Sequence, residues 1–231
     1  MRKAARRAGK FAILFFLGTA PQVMSQRTDG NSLGRLVIAR IKYGGGGDWY
    51  NDPSAIPNLA RFIETNTRVV VATTEAVVAL TDETLFSYPV LFLTGHGRIV
   101  FTREEAERLR NYLLRGGFLY ADDDYGMDHY FRQAMKAVFP DRALEEIPFS
   151  HPVYHIHFSF PQGPPKIHEH DNEAPRGFGI RDDGGRLMVY YTFESNLSDG
   201  WVDSRVHGDP PEIREKALKM GTNIILYAIL Y

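Results

Sequence analysis

Three short turns carry side chains able to do chemistry. Asp122-Asp123-Asp124-Tyr125-Gly126 sets three carboxylates side by side ahead of a helical run. Like charges this close raise one another's pKa or hold a cation, and a carboxyl with a raised pKa can serve as acid, base or nucleophile. Gly95-His96-Gly97 presents an imidazole between two small residues, where it can transfer protons or stabilise a developing negative charge. Gly44 to Gly47 precede Asp48 and Trp49, and the bare backbone of such a run can approach an anion or a flat ligand. It is not a nucleotide loop, because neither Gly-Lys-Ser/Thr nor the G-x-G-x-x-G spacing is present. A fourth turn, Glu194-Ser195-Asn196 followed by Asp199, offers an acid and an amide that could complete a site or simply form a turn. The candidate catalytic residues are therefore Asp122, Asp123, Asp124 and His96. The candidate ligand-binding residues are Gly45, Gly46, Asp48, Trp49, Gly95, His151 and Asn196.

The eight histidines all lie beyond residue 95, and five fall between His151 and His170. His155 and His157 would share one face of a strand, and His168 and His170, with Asp171 beside them, could do the same. Imidazole and carboxylate suit zinc, iron or copper, but H-x-H pairs without a third spaced ligand are a weak metal signature, and H-E-x-x-H is missing. The expectation is a polar strand face, with no metal and no cofactor. His151, held extended by Pro152, is the histidine expected nearest the cleft.

The elements that must position these turns follow from periodicity. Short continuous apolar runs at 35–43, 68–72, 89–94, 118–121 and 187–193 read as strands covered on both faces. A helix is expected at 53–66, with Asp52 as its N-cap and Pro53 at its first position. Another spans 102–115, opened by the Thr102/Glu105 capping box and stopped by Gly116-Gly117. Further helices are expected at 127–139 and 212–231. Tyr154 to Phe160 alternates strictly and reads as a strand with His155, His157 and Ser159 on one face. The β-α order implies an α/β fold with an open, mostly parallel sheet and helices on both faces, whose ligands sit beyond the carboxyl ends of the strands.

Composition bounds the function. In 231 residues, 27 Lys and Arg stand against 28 Asp and Glu, so no basic field points to nucleic acid. Cysteine is absent, which excludes disulfides, thiolate metal sites and a cysteine nucleophile. Residues 1–25 combine five basic residues, the apolar run Phe11–Ala20 and a small residue at Ser25, the pattern of a cleaved signal peptide. The apolar run is too short to span a bilayer. Its removal would leave 22 basic and 28 acidic residues, a disordered lead at 26–34 and a single domain over 35–231. A periplasmic or secreted protein without a membrane span is expected.

The segments RIKYGGGGDWYNDP, YPVLFLTGHG, LRNYLLRGGFLYADD, HPVYHIHF and GTNIILYAI together resemble the bacterial family named domain of unknown function 4159, over nearly all of the mature chain. Pro89 to Asp124 is also similar to the trehalose-utilisation family. Both resemblances imply a flavodoxin-like sheet of the class I glutamine-amidotransferase type. They imply no amidotransferase activity, because the nucleophile's turn corresponds to Ala121–Asp124 and holds no cysteine, and no G-x-S-x-G serine replaces it. Two functions stay open, and the missing cysteine and serine elbow put the first ahead. One is a ligand-binding or interaction module of the cell envelope, whose partner is a small molecule or an envelope protein. The other is a carboxylate- and histidine-based hydrolase, metal-assisted or not, working at the strand ends.

Overall fold

The computed structural model describes residues 34–231. The expected signal peptide and nearly all of the expected lead lie outside the described residues. Four of the apolar runs become the buried strands β1 (Ile38–Lys42), β3 (Val90–Leu93), β4 (Phe118–Asp122) and β7 (Leu187–Phe193). With the edge strand β2 (Ala76–Ala79) they form a parallel set in the order β2-β1-β3-β4-β7. Two further strands, β6 (Arg176–Arg181) and β5 (Glu145–Glu146), extend the sheet antiparallel beyond β7. The sheet is thus mixed and mostly parallel, with seven strands.

Alternation along the strands feeds two cores. Ile38, Val90, Phe92, Phe118 and Tyr120 face α1 (Ala55–Asn66) and α5 (Pro211–Leu230). Ala39, Ile41, Leu91, Leu93 and Leu119 face α2 (Arg103–Leu114) and α3 (Asp128–Val138). The helices therefore lie on both faces. Helix α2 starts at the expected capping box, with Thr102 Oγ1 accepting from Glu105 N (3.2 Å) and Glu105 Oε2 accepting from Thr102 N (2.7 Å). A single turn, α4 (Ser204–His207), precedes α5. No helix among the described residues is long and apolar enough to cross a membrane.

Several sequence expectations fail, each for a physical reason. Residues 68–72 supply only one bridge, Val71 to Leu36, and the strand beside β1 comes from 76–79. Strand β6 was hidden because Gly177 and Gly179 weaken a strand signal. Its glycines serve close approach: a Cβ on Gly177 would clash with Tyr154 Oη. Tyr154–Phe160 is not a strand. It begins with a 3-10 turn at Pro152–Tyr154, and the Phe158 backbone is paired by a side chain rather than a neighbouring strand. Buried Asn223 of α5 accepts from Phe158 N (2.9 Å) and donates to Phe158 O (2.7 Å). His155 and His157 consequently share no strand face. His155 Nε2 lies 2.7 Å from Phe149 O, and His157 lies edge-on to Phe158.

His151 sits over Tyr227, with ring centroids 5.2 Å apart, and Tyr227 Oη accepts from Leu187 N at the start of β7. That is the end of the sheet opposite the loops that follow β3 and β4. Burial, aided by the charge of Arg181, lowers the His151 pKa from 6.5 to about 4. The unfolded chain therefore binds this proton more readily than the folded one. The contribution to stability is complete above about pH 6.5 and is lost as the pH falls towards 4. Urea unfolding across that window is expected to show a steeper acid loss for the natural chain than for His151→Gln. Equal slopes would refute the assignment.

Candidate functional site

The sheet order reverses between β1 and β3, because the chain leaves β1 for β2 at one side and returns to β3 at the other. Crevices at such a reversal, beyond the carboxyl ends of the strands, are the usual ligand sites of α/β sheets. Here the loops after β1, β3, β4 and β7 converge on a cleft of about 240 Å³. Asn51, Asp52, His96, Asp124, His168, His170, Asn196, Asp199 and His207 line it.

The three adjacent carboxylates have three different jobs. Asp122 is fully buried and points back into the sheet end. It accepts from Ser198 N (2.6 Å), from Ser198 Oγ (2.7 Å) and from Thr192 Oγ1. Burial pushes its pKa up to about 6 even though those three bonds favour the charged form. Asp123 Oδ1 accepts from Tyr125 N (3.2 Å) and Met127 N (3.1 Å), closing the turn into α3. Only Asp124 faces the cleft. Its carboxylate accepts from Asn51 Nδ2 and Asn196 Nδ2 and lies 3.5 Å from His96 Nδ1. Burial and the neighbouring Asp199 and Asp52 raise Asp124 well above the carboxylate range.

The β1 loop reaches the same place. Asp48 grips the His96 turn twice: Oδ1 accepts from His96 N (2.5 Å) and Oδ2 lies 3.0 Å from Nδ1. Gly95 permits this grip, with φ +137° and no room for a Cβ beside Tyr43 Oη. Buried Arg40 anchors the loop from below, donating to Trp49 O (3.1 Å) and Asp52 O (3.2 Å) while paired with Glu75 (3.1 Å). Asp52 does not cap α1 through its side chain. Ala55 N donates to its carbonyl instead, and the carboxylate turns to the cleft. There burial and Asp199 raise its pKa to about 6.

The remaining wall is made by residues distant in sequence. His168 Nδ1 lies 2.8 Å from Asp199 Oδ2, and its Nε2 lies 3.0 Å from Asp209 Oδ1. The bonds to Asp199 and Asp209 raise the His168 pKa to about 9 despite its burial. Burial works to raise Asp199, but His168, Asp124 and His207 together hold it below the usual carboxylate value. His207 Nε2 is 3.8 Å from Asp52 Oδ1 and 4.0 Å from Asp199 Oδ1. Asp52, Glu194 and Asn196 all hold positive φ, a conformation uncommon outside glycine that often marks functional loops.

Of the sequence candidates, Asp124, His96 and Asn196 line the cleft, and Asp48 and Gly95 support it. Asp122 and Asp123 hold the scaffold. Gly45 packs against the backbone of Arg98 and Val100, Gly46 is exposed, and neither lines the cleft. Trp49 packs edge-on to Tyr50 and against the α2/α3 core. His151 lies at the far end of β7, not nearest the cleft. Sequence reasoning missed Asn51 and His207, and gave Asp52 only a capping role.

A family model matches residues 37–229, nearly the whole described length. The chain belongs to the DUF4159 family, a domain of unknown function. No curated protein matches it. The family description assigns no reaction, so the chemistry of this DUF4159 domain has to be read from the cleft itself.

Replacing Asp122 by Ala would strand the Ser198 N–H, the Ser198 hydroxyl and the Thr192 hydroxyl in the interior. The expected cost is about 3–5 kcal/mol. Asp123→Ala removes the two backbone bonds that close the turn into α3 and should cost about 1–2 kcal/mol. Urea denaturation of both variants at pH 7 measures the contrast, and equal losses would show that Asp122 does not have the structural role given to it.

Proposed function

We propose that the domain is a hydrolase acting at the carboxyl-end cleft, with the Asp48–His96 pair as its proton-transfer device. One observation carries the reading. An imidazole with about half its side chain exposed is held through Nδ1 by an oriented carboxylate, at the rim of a cleft floored by buried acids. Asp48 fixes the tautomer with hydrogen on Nδ1, which leaves Nε2 as an acceptor at the mouth. His96 Nε2 then takes a proton from water as the water attacks the substrate, and returns it to the leaving group. Asp48, whose pKa is lowered by its bonds to His96, stays charged and stabilises the imidazolium formed in between. The acid-rich floor favours neutral or cationic substrates, which directs the search to esters, amides and glycosides.

We also propose a class I glutamine-amidotransferase-like relationship without the cysteine chemistry. The parallel order β2-β1-β3-β4-β7 supports it, because it matches the flavodoxin-type order 2-1-3-4-5. Export is part of the same reading, supported by the basic start, short apolar run and Ser25 of the sequence. Mass spectrometry of the native protein is expected to find an N-terminus within a few residues of Gln26. An intact Met1 would overturn export.

Purified protein screened against ester, amide and glycoside panels should show turnover. Asp48→Asn and His96→Gln should each lower kcat about 10²–10⁴-fold with an unchanged melting curve. Turnover indifferent to both substitutions would sink the hydrolase assignment, and saturable ligand binding without turnover would favour a binding module.

A further inference from the structure

We propose that His168, Asp199 and His207, with Asp52 beside them, form a binding site for one divalent transition-metal ion, zinc by ligand type. The donor atoms of His168, Asp199 and His207 lie within 4.8 Å of one another, and so do those of Asp52, Asp124 and Asp199. Asp199 belongs to both groups and sits where they meet.

Four features separate this cluster from an ordinary acidic patch. First, no Lys or Arg among the described residues forms an ion pair with Asp52, Asp124 or Asp199. Arg40 bonds Asp52 through its carbonyl and not its carboxylate, and Lys166 is committed to Glu194 and Glu169. Second, oxygens at the cleft are buried without a hydrogen-bond partner: Asp199 Oδ1 and Asn196 Oδ1, on residues 3% and 1% exposed. Buried polar atoms are almost always paired, so such orphans at a lined cavity call for a ligand.

Third, His168 is oriented as a metal ligand is oriented. Asp209 binds its outer nitrogen, which fixes the ring and aims Nδ1 at Asp199 Oδ2. A carboxylate on the far nitrogen is the usual outer-shell partner of a metal-bound histidine. Fourth, His207 Nε2 stands 3.8 and 4.0 Å from two carboxylate oxygens, too far for hydrogen bonds. Two donors bound to one tetrahedral ion at about 2.1 Å are separated by about 3.4 Å, so His207 stands near ligand spacing from both carboxylates. A bound ion would replace the proton between His168 Nδ1 and Asp199 Oδ2, and that 2.8 Å pair would open to the same spacing. Two histidines and a carboxylate, with a side open to the cleft, are a donor set of catalytic zinc sites.

This site differs from the His155/His157 pair suggested by sequence spacing, whose rings point to unrelated places. It also differs from the Asp48–His96 pair, and its test needs no substrate, so it stands or falls separately from the hydrolase reading.

The full chain is stripped with chelator, dialysed against zinc, manganese or magnesium, and analysed for bound metal. About one equivalent of zinc is expected to remain after gel filtration, with a higher melting temperature than the stripped protein. His207→Ala, a change at a partly exposed ring, should weaken zinc binding more than about 100-fold. Asp209→Asn should weaken it about 10–100-fold. A His155→Ala/His157→Ala double variant should bind zinc like the natural chain. Cobalt substitution gives an independent readout: visible ligand-field bands that change in His207→Ala locate the ion even where affinity alone does not. No retained metal, or retention unaffected by both His168→Ala and His207→Ala, would overturn the proposal.

Discussion

The buried carboxylate of Asp122 is the constraint on which the cleft depends. It ends β4, and its two oxygens take hydrogen bonds from Thr192 at the end of β7 and from Ser198 in the loop beyond. Burying a charge costs several kcal/mol unless the protein replaces the lost water contacts. Here charge-assisted bonds do so, and such bonds are short and directional. The result is a fixed distance between the β4 loop and the β7 loop. Asn196 and Asp199 ride on the second and Asp124 on the first, so their mutual geometry follows from this one group.

Arg40 does the corresponding work on the other side. A buried guanidinium lies 5.0 Å over the Phe92 ring and distributes its donors between Glu75 and two loop carbonyls. An Arg is suited to this because its planar fork satisfies several acceptors from one rigid group. The loop it supports delivers Asn51 and Asp52 to the cleft and sets Asp48 against His96. Between these two anchors, the sheet supplies a rigid floor and the loops supply the chemistry, with positive-φ backbone at Asp52, Glu194 and Asn196 held by the surrounding bonds.

The concentration of acids in the cleft has an electrostatic consequence. Asp52 and Asp124 are pushed upward by burial and by Asp199, whereas the bonds to Asp199 and Asp209 push His168 upward. A set of groups with divergent pKa values in one crevice is the arrangement used for acid–base chemistry and for cation capture.

The sequence by itself determined the local elements. Apolar runs flanked by turn residues gave β1, β3, β4 and β7, and a capping box gave the start of α2, because these signals depend on neighbours a few residues apart. It also marked the Asp122–Asp124 turn, the Gly95–Gly97 turn and Asp48 as chemically apt, since residue type and strand-end position are readable in one dimension. Only the tertiary structure decided which carboxylate faces the cleft, because Asp122 is claimed by Ser198 and Thr192 from distant chain. It alone placed Asp52, His168 and His207 around Asp199, residues up to 155 positions apart in the chain. It also turned Tyr154–Phe160 away from strand geometry, because Asn223 offered that backbone a side-chain partner. Alternation specifies which side chains go inward; it does not specify what satisfies the backbone, and that is settled by whichever buried donor and acceptor the fold brings within reach.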